Sequence, residues 1–453
     1  MQPTKLRILL SGVSDTSMGE EVVSAVVTDS RIVTQGAVFV AVEGERFDGH
    51  DFVKDAFQNG AAAVIVNHPV NSEKERQIVV QDTKDTHIRM AKNYKEQFDL
   101  LAVAVTGSAG KTTTKEMVAV IFEDFGKTLK NEGNLNNEVG LPQTVFALDK
   151  EVKYAVFEMG MNKLGDISKL SNAVQPKASI ITGIGISHIE YLKTRENILK
   201  AKLEIVEGMP KDGVLVLNGD DEMLMGIKDT LPVSTVTFAI ENTGADVTAA
   251  DIRIRPKQSE FIIEDRDFGS FSTIIPTVGN HNIMDALSAY TLATRLGFDA
   301  GRAAKALIKF RPVGMRQHVV DFRGITVVED CYNANPDSMS ASLQALSSIQ
   351  ADGIRIAVLG DMLELGDLSE SEHRKIGLSA AKNGIDVLLC FGENMRYTAE
   401  AAKTARITSV EWFDDKRSLS DYLSKTAHAG DAVLFKGSRG MKIEEILEMF
   451  YKH

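Results

Sequence analysis

Apolar residues occur in short runs broken by Gly, Asp, Asn and Pro, and the character of those runs changes along the chain. Up to about Asp99, runs such as Ala37-Val38-Phe39-Val40-Ala41-Val42 and Ala61-Ala62-Ala63-Val64-Ile65-Val66 are separated by loop signals such as Asp48-Gly49-His50. That pattern predicts a small mixed α/β unit. The run Leu100-Leu101-Ala102-Val103-Ala104-Val105 predicts a buried strand, and Met117, Val118, Ile121 and Phe122 then follow at helical spacing. Further strands are predicted over 154–158, 178–182 and 214–218 with helical stretches between them, the βαβ alternation of a mainly parallel sheet. From Val236 to about Thr277 the alternation is that of an antiparallel flank, and a helix is predicted over 281–296. Beyond Arg311-Pro312-Val313-Gly314, strands predicted over 325–329, 354–359, 387–391 and 432–436 alternate with helices, again an open α/β sheet, Rossmann-like in topology. No Gly-x-Gly-x-x-Gly follows a first strand there, so that topology does not imply NAD.

The fold class is therefore α/β in three domains: a small mixed α/β domain over 1–99, a central mononucleotide-binding domain over 100–311, and a C-terminal Rossmann-like domain over 312–453. A length of 453 residues accommodates this division, and 43% hydrophobic with 25% charged residues is the balance of a soluble globular protein. No apolar run approaches the roughly 20 residues that span a bilayer. At the N-terminus, Ile8-Leu9-Leu10 after Lys5 and Arg7 is too short for a signal peptide, so a cytoplasmic location is expected. Two cysteines, Cys331 and Cys390, fit a reducing compartment and cannot build a disulfide framework or a four-cysteine zinc site. A formal net charge of −12 argues against general nucleic-acid binding, although local cations and helix N-termini can still hold an anionic small molecule.

The first strand of the central block ends in Thr106-Gly107-Ser108-Ala109-Gly110-Lys111-Thr112-Thr113. A strand, a Gly-containing turn, Gly-Lys-Thr and a helix make a phosphate cradle: backbone N–H groups close around phosphate oxygens and the helix N-terminus adds its positive dipole end. Lys111 is the candidate for the β- and γ-phosphates and Thr112 for Mg²⁺. The loop is shorter than the general P-loop, since Val105 stands where the first glycine would be. Alone it leaves kinase, ATPase and ligase open, and a plain strand-turn-helix with a surface lysine is the bland alternative.

This shorter loop resembles that of the Mur ligase and folylpolyglutamate synthetase superfamily. Gly133-Asn134-Leu135-Asn136-Asn137-Glu138-Val139-Gly140-Leu141-Pro142 looks like the segment after the first nucleotide-domain helix of Mur ligases. Asp330-Cys331-Tyr332-Asn333-Ala334-Asn335-Pro336, Gly360-Asp361-Met362-Leu363-Glu364-Leu365-Gly366 and Lys436-Gly437-Ser438-Arg439-Gly440-Met441 resemble the branch that adds D-Ala-D-Ala. Thr28-Asp29-Ser30-Arg31 and Phe47-Asp48-Gly49-His50-Asp51-Phe52 match the nucleotide-sugar domain, so the similarity covers essentially the whole chain in the family's order. The resemblance implies an ATP- and Mg²⁺-dependent ligase of peptidoglycan precursor synthesis. Its carboxylate substrate is UDP-N-acetylmuramoyl-tripeptide, its amine substrate is D-alanyl-D-alanine, and it works as a monomer through an acyl phosphate and a tetrahedral intermediate. Two rivals are another amino-acid ligase of the superfamily and a nucleotide-binding regulatory protein without ligase activity.

The resemblance also assigns residues. Glu158, at the end of a strand, and His188 are metal-side candidates, as is Lys202, whose match in the family is a carbamylated lysine. A capping acid, a structural histidine and a solvated Lys-Glu helix face are the respective alternatives. This chain has Lys193-Thr194 where the family often has Gly-Ser, a departure that bears on the loop's conformation. Asn282 is assigned to the adenine, with helix capping as its alternative; Asp285 stands where the family usually has Asn, and an acid lacks the amide donor. Arg316 is assigned to the ATP phosphates and Asp330 to the ribose, against a linker salt bridge and a turn acid. Asn136, Asn137, Asn333, Asn335 and Ser338 are assigned to substrate, the last three near the incoming dipeptide, and Ser30 and Arg31 to the uridine-diphosphate end. Turn chemistry is the competing reading for these short polar segments.

Overall fold

The computed structural model describes residues 1–44, 47–255 and 257–453. The first sheet has four parallel strands in chain order, Ala25–Val27, Ala37–Val40, Ala63–Val66 and Gln77–Val79. Its two middle strands, Ala-Val-Phe-Val and Ala-Val-Ile-Val, are buried at every position, as expected of parallel strands covered on both faces. Helix Thr83–Lys95 carries the chain away, and its buried Tyr94 ties this unit to the next: the hydroxyl donates to the Leu148 carbonyl at 2.8 Å and accepts from Gln2 N–H at 2.8 Å.

The central sheet has nine strands, with Leu101–Thr106 between Ala178–Ile181 and Tyr154–Glu158. These pairs are parallel, with Thr106 level with Ile181 and Val105 level with Glu158. The phosphate loop, Glu158 and the segment leading to His188 therefore leave the sheet at one end. At the far edge, Val247–Arg255, Gln258–Asp265 and Gly269–Ile275 pair antiparallel, but the flank expected from Val236 starts later: Ser234–Ala239 pairs parallel with both its neighbours and continues the parallel sheet. Helix Lys111–Glu123 buries Met117, Val118, Ile121 and Phe122 and packs against helix Asn280–Arg295.

The third sheet has six strands in the order His318–Phe322, Ile325–Asp330, Ala432–Lys436, Arg355–Gly360, Val387–Phe391 and Ser409–Phe413. Only the first pair is antiparallel, and the last strand in sequence inserts between the second and fourth, bringing Lys436 level with Asp330. The chain enters this unit through left-handed backbone at Gly314 (φ +53°), Met315 (φ +38°) and Gln317 (φ +53°), on either side of Arg316.

Two other local expectations shift. The helix expected from His281 begins at Asn280, straight after Gly279 (φ +100°), with no side-chain cap, so Asn282 lies in its first turn and does not cap it. The strand expected to reach Thr182 ends at Ile181. Among the described residues, no helix is long and apolar enough to cross a membrane.

Candidate active site

A cavity of about 740 Å³ lies between the end of the central sheet and the C-terminal unit. Its walls include Ser108, Ala109, Gly110, Lys111, Thr112 and Thr113, with Asn136, Asn137, Glu158 and His188 from the same side, and Asn282, Arg316, Asp330, Asn333, Asn335 and Ser338 toward the C-terminal side. Thr106, Gly107 and Lys202 lie behind this lining, and Ser30 and Arg31 lie outside it in the N-terminal sheet unit.

The loop follows from its glycines. Gly107 (φ +151°) and Gly110 (φ +82°) occupy backbone that side chains rarely adopt, and a Cβ at either would collide, with Thr182 Oγ1 and Asp285 Oδ1 respectively. Lys111 begins the helix, and its Nζ donates to the Gly107 carbonyl at 2.8 Å. Burial lowers the Lys111 pKa and Arg316 lowers it further, while Glu158 opposes them. Thr112 Oγ1 donates to Glu158 Oε2 at 2.8 Å, and Asn136 Nδ2 donates to Glu158 Oε1 at 2.8 Å. A hydroxyl and a buried carboxylate beside a phosphate cradle are oxygen donors of the kind Mg²⁺ takes. Among the described residues no group of three or more His, Cys, Asp or Glu gathers around a point.

Lys202 sits on helix Arg195–Leu203, 2% exposed, and among the described residues no carboxylate pairs with it. Burial first, then the charge of Lys111, holds its amine well below the usual lysine range. The solvated helix face is thereby replaced by a buried lysine. Thr194 caps this helix, its hydroxyl accepting from Asn197 N–H at 3.2 Å, so Thr does the work Ser would do. Lys193 takes φ +70°, the left-handed conformation a glycine adopts freely.

Asp285 faces the loop from helix Asn280–Arg295. Its Oδ1 accepts from Thr114 Oγ1 at 3.0 Å beneath Gly110, and burial pushes its pKa up to about 8 while the Thr114 bond pulls the other way. An acid raised in the folded state binds its proton more tightly there than when unfolded. Its stabilising contribution is complete below the unfolded value near 4 and is lost, by about 1.4 kcal/mol per pH unit, as pH rises through the folded value. Asp285→Asn, isosteric with the protonated acid, should therefore melt like the parent below about pH 4 and increasingly above it from there toward about pH 8. Parallel thermal melts that keep the same difference across this range would refute the buried-acid account.

On the C-terminal wall, Asp330 is 6% exposed, and its Oδ2 receives both Lys436 Nζ and Ser342 Oγ at 2.6 Å. It is thus a buried ion pair with Oδ1 left over, and not a turn acid. Arg316 has no ion-pair partner among the described residues; its guanidinium lies 4.0 Å from the centre of the Tyr332 ring. Asn282 Nδ2 reaches Gln317 Oε1 at 2.7 Å. Asn335 does two jobs. Its Oδ1 caps helix Pro336–Ser348 in a capping box with Ser338, and its Nδ2 crosses to the Ser108 carbonyl at 3.1 Å and to Ser187 Oγ. Turn chemistry and contact across the cavity thus coexist there. In the N-terminal unit, Asp29 caps a 3₁₀ turn and pairs with an exposed Arg31 at 2.7 Å, while Ser30 is buried.

Sequence reasoning passed over Lys436, Asp337 and Glu364. Lys436 was legible as a charged residue ending a buried strand. Asp337 receives the Ile186 backbone N–H and Glu364 meets His188, contacts to which no local pattern points.

Three family models match the chain: Mur ligase family, catalytic domain, over residues 22–109; Mur ligase middle domain, over 105–293; and Mur ligase, glutamate ligase domain, over 315–439. The UDP-N-acetylmuramoyl-tripeptide–D-alanyl-D-alanine ligase of Bacillus subtilis is 37% identical, covering 95% of this chain and 93% of that protein. The enzyme of the same name from Escherichia coli is 34% identical over 98% of each. Among solved structures, MurF from Acinetobacter baumannii superposes with a TM-score of 0.92 at 31% identity over 100% of both chains. MurF from Thermotoga maritima in complex with ADP gives 0.86 at 30% identity, over 94% of this chain and 97% of that one.

Proposed function

Since the chain belongs to the Mur ligase family, we propose that it joins D-alanyl-D-alanine to UDP-N-acetylmuramoyl-tripeptide, an ATP-dependent step of peptidoglycan precursor synthesis. The free carboxylate of the tripeptide is phosphorylated by transfer of the γ-phosphoryl group of ATP. The amino group of the dipeptide attacks the acyl phosphate, and the tetrahedral intermediate expels inorganic phosphate. A carboxylate is a poor electrophile and an acyl phosphate a good one, so the protein's task is alignment and charge neutralisation.

The observation that carries this reading is the meeting of the phosphate loop, the Thr112–Glu158 pair and the Arg316–Asp330 wall around one cavity. Backbone N–H groups of residues 107–113 and the helix N-terminus hold the phosphates, and Lys111 and Arg316 offset the charge on the transferring group. Mg²⁺, held by Thr112 and Glu158 with His188 and a carbamylated Lys202 on the same side, supplies further neutralisation of phosphate charge. Asn282 contacts the adenine and Asp330 Oδ1 accepts from a ribose hydroxyl. Asn136 and Asn137 face the muramoyl-tripeptide; Asn333, Asn335 and Ser338 face the dipeptide. Ser30 and Arg31 hold the uridine-diphosphate end. Residues 1–99 thus serve the nucleotide sugar, 100–311 ATP, and 312–453 the dipeptide and part of ATP. One chain carries the whole set, so a monomer suffices, and the enzyme works in the cytoplasm.

The test is ADP and phosphate release by the purified chain with UDP-muramoyl-tripeptides ending in lysine or diaminopimelate. Turnover should require tripeptide, D-Ala-D-Ala, ATP and Mg²⁺ together. Equal turnover with a single amino acid in place of the dipeptide would move the chain to another branch of the family.

A further inference from the structure

The segment Gly360-Asp361-Met362-Leu363-Glu364-Leu365-Gly366 has no part in the chemistry proposed so far, yet it reaches the cavity's metal side. It leaves the strand Arg355–Gly360 and is pinned to the C-terminal unit at three successive residues. Asp361 Oδ1 accepts from Met395 N–H at 2.8 Å, Met362 N–H donates to His373 Nε2 at 3.1 Å, and Leu363 N–H donates to Ser438 Oγ at 2.9 Å. The next residue, Glu364, crosses to the central unit. Its carbonyl accepts from Glu190 N–H at 3.2 Å, and its Oε2 lies 2.8 Å from His188 Nδ1. Gly366 packs on Glu190 just beyond. Both partners sit in left-handed backbone, His188 at φ +63° and Glu364 at φ +64°, a conformation uncommon for residues with side chains and one that clusters at functional sites. Nδ1 of His188 is buried and makes no well-directed hydrogen bond, while His188 lines the cavity; the nitrogen left for that cavity is Nε2.

We propose that Glu364 is a positioning residue: it holds Nδ1 of His188 from the C-terminal domain, fixing the tautomer and rotation that leave Nε2 free for the metal–phosphate side of the cavity. A carboxylate on one imidazole nitrogen makes the other the lone-pair donor, and such outer partners tune metal sites. Contacts of this kind are often misaligned before substrates bind and tighten in the working complex. Because Glu364 belongs to the C-terminal domain, the ring is aimed only while that domain is docked. The inference rests on the ligase reading for the use made of His188.

The test uses full-length Glu364→Ala and Glu364→Gln. In the enzyme without nucleotide, the side-chain nitrogen resonances of His188, assigned by their loss in His188→Asn, report the tautomer directly. The parent should show the proton on Nδ1, and Glu364→Ala a shift toward Nε2. With Mn²⁺ as the activating ion, Glu364→Ala should lower kcat and raise the half-activating Mn²⁺ concentration, each by about 10- to 100-fold. KM for the UDP-muramoyl-tripeptide should stay within about twofold. Glu364→Gln, whose amide oxygen can still accept from Nδ1–H, should recover part of both losses. Unchanged His188 resonances together with unchanged Mn²⁺ activation would overturn the proposal; if the alanine variant does not fold, Glu364→Gln decides the same point through smaller shifts. Absence of turnover in the parent would instead sink the ligase reading, and the tautomer measurement would still decide the Glu364–His188 contact.

Discussion

Lys111→Ala should lower kcat by about 10²–10³-fold and leave the protein folded. The lysine starts its helix, and the side-chain hydrogen bond it makes, to the Gly107 carbonyl, stays inside the loop it serves. Burial depresses its pKa, against the opposing charge of Glu158 and with a smaller contribution from Arg316, so the empty loop gains little from the charge. A desolvated cation that makes no ion pair is unfavourable until an anion docks on it, and a triphosphate is such an anion. The variant should therefore melt at or above the parental temperature while failing to transfer the phosphoryl group, with KM for the UDP-muramoyl-tripeptide unchanged. Retention of more than about a tenth of parental kcat would mean that the transferring phosphate lies elsewhere.

The second large effect concerns Lys202. Its amine is buried with no carboxylate partner among the described residues and has Lys111 for a neighbour, a poor place for an ammonium and a good one for an anionic derivative. A neutral amine attacks CO₂ and gives up a proton to solvent, and the carbamate that forms places a negative charge beside Lys111 in place of a second positive one. Native mass spectrometry should find the parent heavier by one CO₂, with activity falling on degassing and returning with bicarbonate. Lys202→Ala should lose the added mass and the bicarbonate response together, with kcat down by about 10²-fold or more. A fully active parent of unmodified mass, or a Lys202→Ala variant that still responds to bicarbonate, would exclude the carbamate.

Legibility in the sequence tracked how local the cause was. Strands buried on both faces, Leu101–Thr106 and Tyr154–Glu158 among them, appear as unbroken apolar runs because neither face meets water. The phosphate loop was readable because its glycines, lysine and threonine are adjacent in sequence. The helix start at Asn280 was misplaced because Gly279 turns the chain without the polar cap that usually marks such a start. What stayed hidden were pairings across domains or between distant strands: Lys436 on Asp330, Asn335 on Ser108, and Glu364 on His188. Each joins residues far apart in sequence, and nothing in either neighbourhood names the other. Asp285 shows the limit differently. Its departure from the family's asparagine is plain in the chain, but only its enclosure beneath Gly110 makes it a protonated acid that can stand in for an amide.

The entry into the C-terminal unit has a mechanical corollary. Met315 and Gln317 hold dihedrals that cost a residue with a side chain on the order of 1 kcal/mol or more each, and they flank Arg316 on the cavity wall. The packing on either side of the connector must offset that backbone cost. The same short stretch that sets Arg316 on the cavity wall is therefore where a glycine, free of that cost, would alter the join between the two units most cheaply.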